Sequence, residues 1–235
     1  MLVQAVCKDY HRSDGIPRCA FKIDIHKAFD SLNWSFLFKV LSAMNFPKVF
    51  ISWIRKCITG CMISLKINGI LEGFFQCKSG LRQGDPLSPC LFVLSMEVLT
   101  LFLNATLNSN SSFSFHWRTK EILLSHVIFA DDIFLFCRGD FSSISILLDS
   151  VLQFSACSGL HLNKNKCLGF FSNVPDHVIS ETLLKYGFQR GLLPITYLGL
   201  PLITNRLTLL HCTPLIQRLC QKIDSWTVRA LRYSG

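Results

Sequence analysis

The stretch "HVIFADDIFLFCRGD", His126 to Asp140, sets two adjacent carboxylates, Asp131 and Asp132, inside a strongly apolar run. Apolar, β-prone residues flank the pair on both sides, so it reads as a turn between two strands, "EILLSHVIFA" before and "IFLFCR" after. Taken alone, an Asp-Asp pair in a turn is most often simply solvated. The other reading is that a cation sits there and the pair holds it. A generic hairpin turn more often carries Asn-Gly or Asp-Gly, as this chain does at Asn68-Gly69.

Working outward, the next acidic strand end is in "PRCAFKIDI", which alternates in the β manner and closes on Asp24. Asp24, Asp131 and Asp132 held at strand ends could point their oxygens together. Without a counter-ion three such groups would repel, and at least one would take up a proton. Mg²⁺ removes that conflict, because it prefers hard oxygen ligands and keeps positions open for water and phosphate. Two ions about 4 Å apart would activate a hydroxyl and stabilise a leaving pyrophosphate.

Two further segments could serve such a site. In "KIDIHKAFD", Lys22 shares a strand face with Asp24 and could meet a phosphate. Phe29 enters the next helix, where a bulky ring would collide with a ribose 2′-hydroxyl; the plain alternative is a core position, one of 20 Phe. In "GLRQGDPLSP", Gly80 and Gly84 permit close backbone approach, while Arg82 and Gln83 offer donors to phosphate, sugar or base edges. A helix-capping loop is the competing reading, with Ser88 as cap and Pro89 in the first turn.

The remaining pattern fixes the class. "SLNWSFLFKVLSAMNF" and "PKVFISWIRKCITG" have helical spacing, and "MISLKINGILEGFFQ" reads as a hairpin about Asn68-Gly69. "CLFVLSMEVLTLFLNATL" carries Glu97 at its centre and reads as a buried core helix rather than a membrane span. An amphipathic helix ending at Gly159, a strand in "LHLNKNKCLGFF" and a short helix between Pro175 and Gly187 follow. "TYLGLPL" reads as a tight apolar turn, and "TPLIQRLCQKIDSWTVRALRYSG" as a last helix. The order predicts an α+β fold, helices packed on one face of an antiparallel sheet.

Composition agrees with a nucleic-acid partner. The 235 residues carry 24 Lys plus Arg against 15 Asp plus Glu, a net charge of +9, which favours a polyanion over an acidic membrane. Half the residues are hydrophobic and 17% are charged, which excludes a disordered chain. The 11 cysteines are odd in number and lack zinc-ligand spacing; most, such as Cys90 and Cys137, sit in apolar runs and read as small buried hydrophobes in a reducing compartment.

Five blocks then occur in an order that resembles reverse transcriptases: "KIDIHKAFDSLNW", "GLRQGDPLSPCLFVLSMEVL", "FADDIFLF", "SGLHLNKNKC" and "YLGLPL". The resemblance is to the LINE-type (non-LTR) retrotransposon enzymes abundant in plants, and it runs from about Tyr10 to the end of the chain. It implies a right-hand polymerase palm over 17–32 and 77–203, partial fingers over 33–76 and the start of a thumb over 204–235, one reverse transcriptase domain in all. It implies Asp24 and Asp131 as main ligands of two Mg²⁺ ions, with Mn²⁺ as a substitute, and Asp132 completing the acidic site. Phe29 matches the gate that selects dNTPs, and Gln83 and Gly84, with Arg82, match the loop bordering nucleotide and template. Lys166 falls where a lysine lies near the triphosphate and could protonate pyrophosphate; Tyr197, Leu198 and Gly199 match the primer grip.

The reaction implied is attack of a DNA primer 3′-hydroxyl on a dNTP, templated by RNA, in the nucleus. An RNA-dependent RNA polymerase shares the chemistry, but Phe29 argues against it, since such an enzyme must admit the 2′-hydroxyl. Against the family pattern, only about twenty residues precede Asp24 and the last helix stops where a thumb would begin. The chain therefore reads as truncated at both ends. The alternative function is an inactive retrotransposon remnant that binds nucleic acid through its basic surface. The sequence gives no oligomeric state.

Overall fold

In a computed structural model, residues 2–12, 14–204 and 209–230 are described. They fall into two compact units, one of 16–190 and one of 1–15 with 191–235.

The larger unit is built on a five-stranded sheet. Strand β1 (Arg18–Asp24) lies at its centre, with β5 (Asp132–Arg138) on one side and β6 (Leu168–Ser172) on the other. β4 (His126–Phe129) and β7 (Gln189–Arg190) are the edges. All pairings are antiparallel except β6 with β7, whose two residues run parallel because the chain returns through a helix. Strand β1 is buried on both faces from Arg18 to Phe21, as a central strand must be.

Alternation divides the sheet into two faces. Cys19, Phe21 and Ile23, with Ile133, Leu135 and Cys137, turn to one core and pack under the helices α3 (Trp34–Ala43), α5 (Ser88–Ser109) and α6 (Phe141–Ser158). The other face carries Ala20, Lys22 and Asp24, paired in register with Phe136, Phe134 and Asp132. Phe134 stacks on Phe136 and on Phe170 there, so this face is aromatic and buried until it reaches the carboxylates. A slip of one residue would drive Asp24 into the apolar core, so the hydrophobic pattern itself fixes where the carboxylates emerge.

The helices begin and end where their sequences dictate. Asn33 Oδ1 accepts from Ser35 N and Phe36 N to open α3, and Asp140 Oδ1 accepts from Ser143 N to open α6. Gly159 closes α6 in the left-handed conformation. Helix α5 buries Leu91, Phe92, Ser95, Met96, Leu99, Leu103 and Leu107 and leaves Val93 and Leu101 exposed, so it is half-buried, packed on α3 and α6. Helix α4 (Lys48–Thr59) and the hairpin of β2 (Met62–Ile67) and β3 (Ile70–Gln76), turning at Asn68-Gly69, match the sequence reading.

Two local expectations fail. Of "EILLSHVIFA" only His126–Phe129 is strand: Thr119 Oγ1 donates to Leu124 O at 2.6 Å, and Leu124 N to Thr119 O, closing a turn that takes the backbone groups a strand would have used. Ser88 does not cap α5 but is its first residue; Asp85 Oδ1 accepts from Leu87 N instead. Helix α7 (Asp176–Tyr186) completes the unit.

In the smaller unit, "TYLGLPL" forms a hairpin of β8 (Ile195–Tyr197) and β9 (Leu200–Leu202). Leu198 and Gly199 at its turn both have positive φ. Gln4, in α1 (Leu2–Cys7), exchanges two hydrogen bonds with the Ile203 backbone, and α8 (Leu209–Ala230) follows.

His116 is a buried titratable group within the larger unit. Burial foremost, then Arg118 and Arg18, lower its pKa from the ordinary 6.5 to about 4. The folded chain keeps the imidazole neutral while the unfolded chain protonates below 6.5. This contribution is therefore intact above that pH and is lost as pH falls toward 4. A His116→Gln variant should lack a pH-dependent loss of roughly 3 kcal/mol that wild type shows between pH 7 and 4 in denaturant titrations.

Candidate active site

Three carboxylates meet at one end of the sheet. Asp24, the last residue of β1, stands directly opposite Asp132, the first residue of β5. Phe129 pairs with Asp132, so the tight turn consists of Ala130 and Asp131, with Ala130 at φ 53°. The sequence placed both aspartates in the turn; the structure puts Asp131 in it, exposed, and Asp132 on the strand, half-buried. Like charges directly opposite on a sheet destabilise it, so this register carries an electrostatic cost.

The electrostatics report that cost. Burial first raises the Asp132 pKa above its ordinary value; the Lys22 ammonium pulls it back, and Asp131 and Asp24 push it further up. Lys22 Nζ lies 3.9 Å from Asp132 Oδ1. Lys22 does share the Asp24 face, as its spacing implied, but here it is a counter-ion to a carboxylate. Among the described residues no group of three or more His, Cys, Asp or Glu closes into a ready metal cage. The donor chemistry nevertheless suits a hard cation: Asp24, Asp131 and Asp132 bring carboxylate oxygens to this strand end, and the partly buried Asp132 is held short of its ordinary acidity.

The backbone of Asp24 is fixed from the side of the "LNKNKC" turn. Asn163 N donates to Asp24 O at 2.8 Å, and Asp24 N donates to Cys167 Sγ at 3.4 Å. Burial raises the Cys167 thiol to about 11, so it stays protonated and can donate to Asp24 O. Lys166, exposed beside Cys167, thus sits on a turn bonded to the Asp24 backbone.

Hydrogen bonds bring the second block to the first. Leu81 N donates to Phe29 O at 2.6 Å, Gly80 N to Leu32 O at 2.8 Å, and Trp34 Nε1 to Gly80 O at 2.6 Å. The loop bearing Arg82, Gln83 and Gly84 is therefore tied to the turn (α2, Ala28–Ser31) that bears Phe29. Arg82 donates to Asp85 Oδ2 at 2.6 Å and to Cys57 O, and lines a cleft of about 540 Å³ with Gln83, Asp30 and Ile63. Gly84, at φ +86°, has open space on its Cβ side, whereas the close approach at Gly80 is to this chain's own Asp30 backbone. Tyr197 is buried, and Leu198 and Gly199 are exposed at the turn of the smaller unit's hairpin.

Two features escaped the sequence. The Phe29 ring is half-buried and stacks on Phe92 of α5, centroids 4.8 Å apart at 20°. Its only signal was an aromatic eight residues beyond Gly84, indistinguishable from core. Gly159 is the second: a Cβ there would meet Ser31 O at 2.7 Å, and its φ is +78°. It caps α6 and presses on the segment that follows Asp24. Gly159→Ala should destabilise the chain by roughly 2–3 kcal/mol, read as a lowered denaturant midpoint, since both the backbone angle and the contact are violated.

Residues 3–202 match the family model described as "Reverse transcriptase (RNA-dependent DNA polymerase)". The chain is 33% identical over 145 residues to the Retrovirus-related Pol polyprotein from type-2 retrotransposable element R2DM of Drosophila melanogaster, covering 62% of this chain and 13% of that protein. It is 27% identical over 145 residues to the Pol polyprotein from type-1 retrotransposable element R2 of Popillia japonica, covering 62% and 23% respectively. The chain thus spans less than a quarter of either relative. Among solved structures, apo telomerase from Candida tropicalis, truncated from its C-terminal domain, superposes with a TM-score of 0.56 at 13% identity, over 88% of this chain and 38% of that one. At that identity the likeness bears on the fold alone, and it agrees with the α+β, palm-type sheet and helices described above.

Proposed function

Because the chain belongs to the reverse transcriptase family, we propose that its larger unit is the catalytic core of an RNA-directed DNA polymerase from a non-LTR retrotransposon. The observation that carries the proposal is the register that sets Asp24 opposite Asp132 with Asp131 in the adjoining turn. The register that buries the apolar residues brings the like charges together, and phosphoryl transfer gives that costly grouping a use.

Reverse transcriptases use divalent metal ions. In this reading Asp24 and Asp131 are the main ligands of two Mg²⁺, with Mn²⁺ able to substitute, and Asp132 holds the site's charge. Bound there, the cations would ease deprotonation of the primer 3′-hydroxyl and offset charge on the departing pyrophosphate. The chain's own residues do the positioning. Phe29, braced on Phe92, would stand where a 2′-hydroxyl would project. Gln83 and Gly84 would border the incoming dNTP and RNA template, with Arg82 oriented by Asp85. Lys22 would move between Asp132 and a phosphate oxygen. Lys166 would supply a proton to pyrophosphate, and Tyr197, Leu198 and Gly199 would hold the DNA primer. Target-primed synthesis on chromosomal DNA would place the protein in the nucleus.

Primer extension tests this. The chain, given an RNA template, a DNA primer, Mg²⁺ and all dNTPs, should lengthen the primer. Salt-sensitive RNA binding by folded protein with no lengthening would instead identify a remnant that binds without turning over.

A further inference from the structure

Cys167 stands on the opposite side of Asp24 from Asp132, and its backbone is pinned there. Cys167 N donates to Asn163 O at 3.1 Å, and its carbonyl accepts from Gln189 N at 3.1 Å, which fixes the residue between the "LNKNKC" turn and β7. The ladder joining β1 to β6 runs from Arg18 opposite Ser172 to Lys22 opposite Leu168. Asp24 lies beyond it, and there a sulfur stands in for a ladder carbonyl, accepting from Asp24 N at 3.4 Å. The same thiol is 3.8 Å from Asp24 O, to which it can donate. A small buried hydrophobe needs no polar contact; this fully buried side chain makes two, both to one residue.

These contacts decide how Asp24 meets its neighbour. In a strand the N–H and C=O of one residue point to the same edge, and successive residues alternate between edges. Asp24 turns both groups toward Asn163 and Cys167. Its pairing with Asp132 is therefore of the non-hydrogen-bonded kind, the one that brings facing side chains closest. Two carboxylates in such a pair repel, and Asp24 is the last residue of its strand, where fraying relieves the repulsion at little cost. The bonds from Cys167 and Asn163 oppose that movement from behind.

We propose that Cys167 is a positioning residue: its thiol holds the end of β1 so that Asp24 stays grouped with Asp131 and Asp132. The role rests on the polymerase reading above, in which Asp24 is a ligand of a divalent cation. With the thiol in place the carboxylates are gathered before the cation arrives. Without it, part of the cation's binding free energy goes into drawing Asp24 back against the repulsion. Cys167 itself touches neither cation nor substrate; it acts through the Asp24 backbone.

The test is Mn²⁺ binding, read as loss of the free-ion electron paramagnetic resonance signal, which needs no turnover. Wild type, Cys167→Ala, Cys167→Ser and Cys137→Ala are compared, and exchange of the Asp24 amide is followed by NMR in metal-free protein. Cys137 is an equally buried thiol on β5, opposite Cys19 and away from the carboxylates, so its loss reports only the removal of a thiol from the core. Cys167→Ala should bind Mn²⁺ about 10-fold more weakly than Cys137→Ala and exchange the Asp24 amide faster. Cys167→Ser, whose hydroxyl also accepts and donates, should recover most of the affinity. Should Cys167→Ala fail to fold, Cys167→Val, which fills the space without a polar atom, takes its place. Equal Mn²⁺ affinity of Cys167→Ala and Cys137→Ala, or a serine variant as weak as alanine, overturns the proposal. If the affinities fall in the expected order yet wild type never extends a primer, the polymerase reading fails and the positioning role stands. If extension succeeds and the two alanine variants bind alike, the positioning role alone fails.

Discussion

Asp131→Ala is expected to lower primer extension by at least about 10³-fold, some 4 kcal/mol of transition-state stabilisation. The effect should fall on chemistry rather than on folding. Asp131 is exposed in a two-residue turn, and the positive φ angle there belongs to Ala130, not to Asp131. Its removal also takes away one of the charges that raise the Asp132 pKa. The thermal midpoint of the metal-free variant should therefore equal or slightly exceed that of wild type. Asp131→Asn, which keeps shape and loses charge, should be as defective as alanine. Asp149→Ala, remote from the strand ends and bonded to Tyr186 and Lys185, should extend normally. Activity in Asp131→Ala within 10-fold of wild type would remove Asp131 from the metal-binding role.

The second large effect concerns sugar choice. Phe29→Val should narrow the preference for dNTP over rNTP by roughly 100-fold, because a shorter side chain no longer fills the space of the 2′-hydroxyl. The ring is held by stacking on Phe92, and the Phe29 backbone by the hydrogen bond from Leu81 N to its carbonyl, so a 2′-hydroxyl would meet a fixed wall. Competing dNTP and rNTP incorporation at one template position gives the ratio directly. Unchanged selectivity with retained activity would assign Phe29 to the core alone.

Much of this was legible in the residues, for reasons that can be named. Strand β1 and strand β5 announce themselves because their apolar residues must alternate or run unbroken to be buried, and β1 ends and β5 begins on a carboxylate that is not. Helix ends were legible at Gly159 and Gly187, where left-handed glycines close α6 and α7; the caps at Asn33 and Asp140 were not. What was hidden is cross-strand and tertiary. No local pattern says that Asp132 rather than Asp131 pairs with Asp24, since register is settled by two strands together. The lost strand at 121–125 reflects a Thr119 hydroxyl outcompeting sheet pairing. The Phe29–Phe92 stack joins residues far apart in sequence, and a contact of that kind leaves no periodicity to read.

The most direct measurement is incorporation of a single nucleotide opposite a defined RNA template base, followed in one turnover with wild type and Asp131→Ala side by side. Wild type should add the complementary deoxynucleotide in Mg²⁺, chelation should stop it, and the variant should add almost none. Folded wild type that binds the primed template and adds nothing, or a variant that adds as fast as wild type, would contradict the polymerase reading.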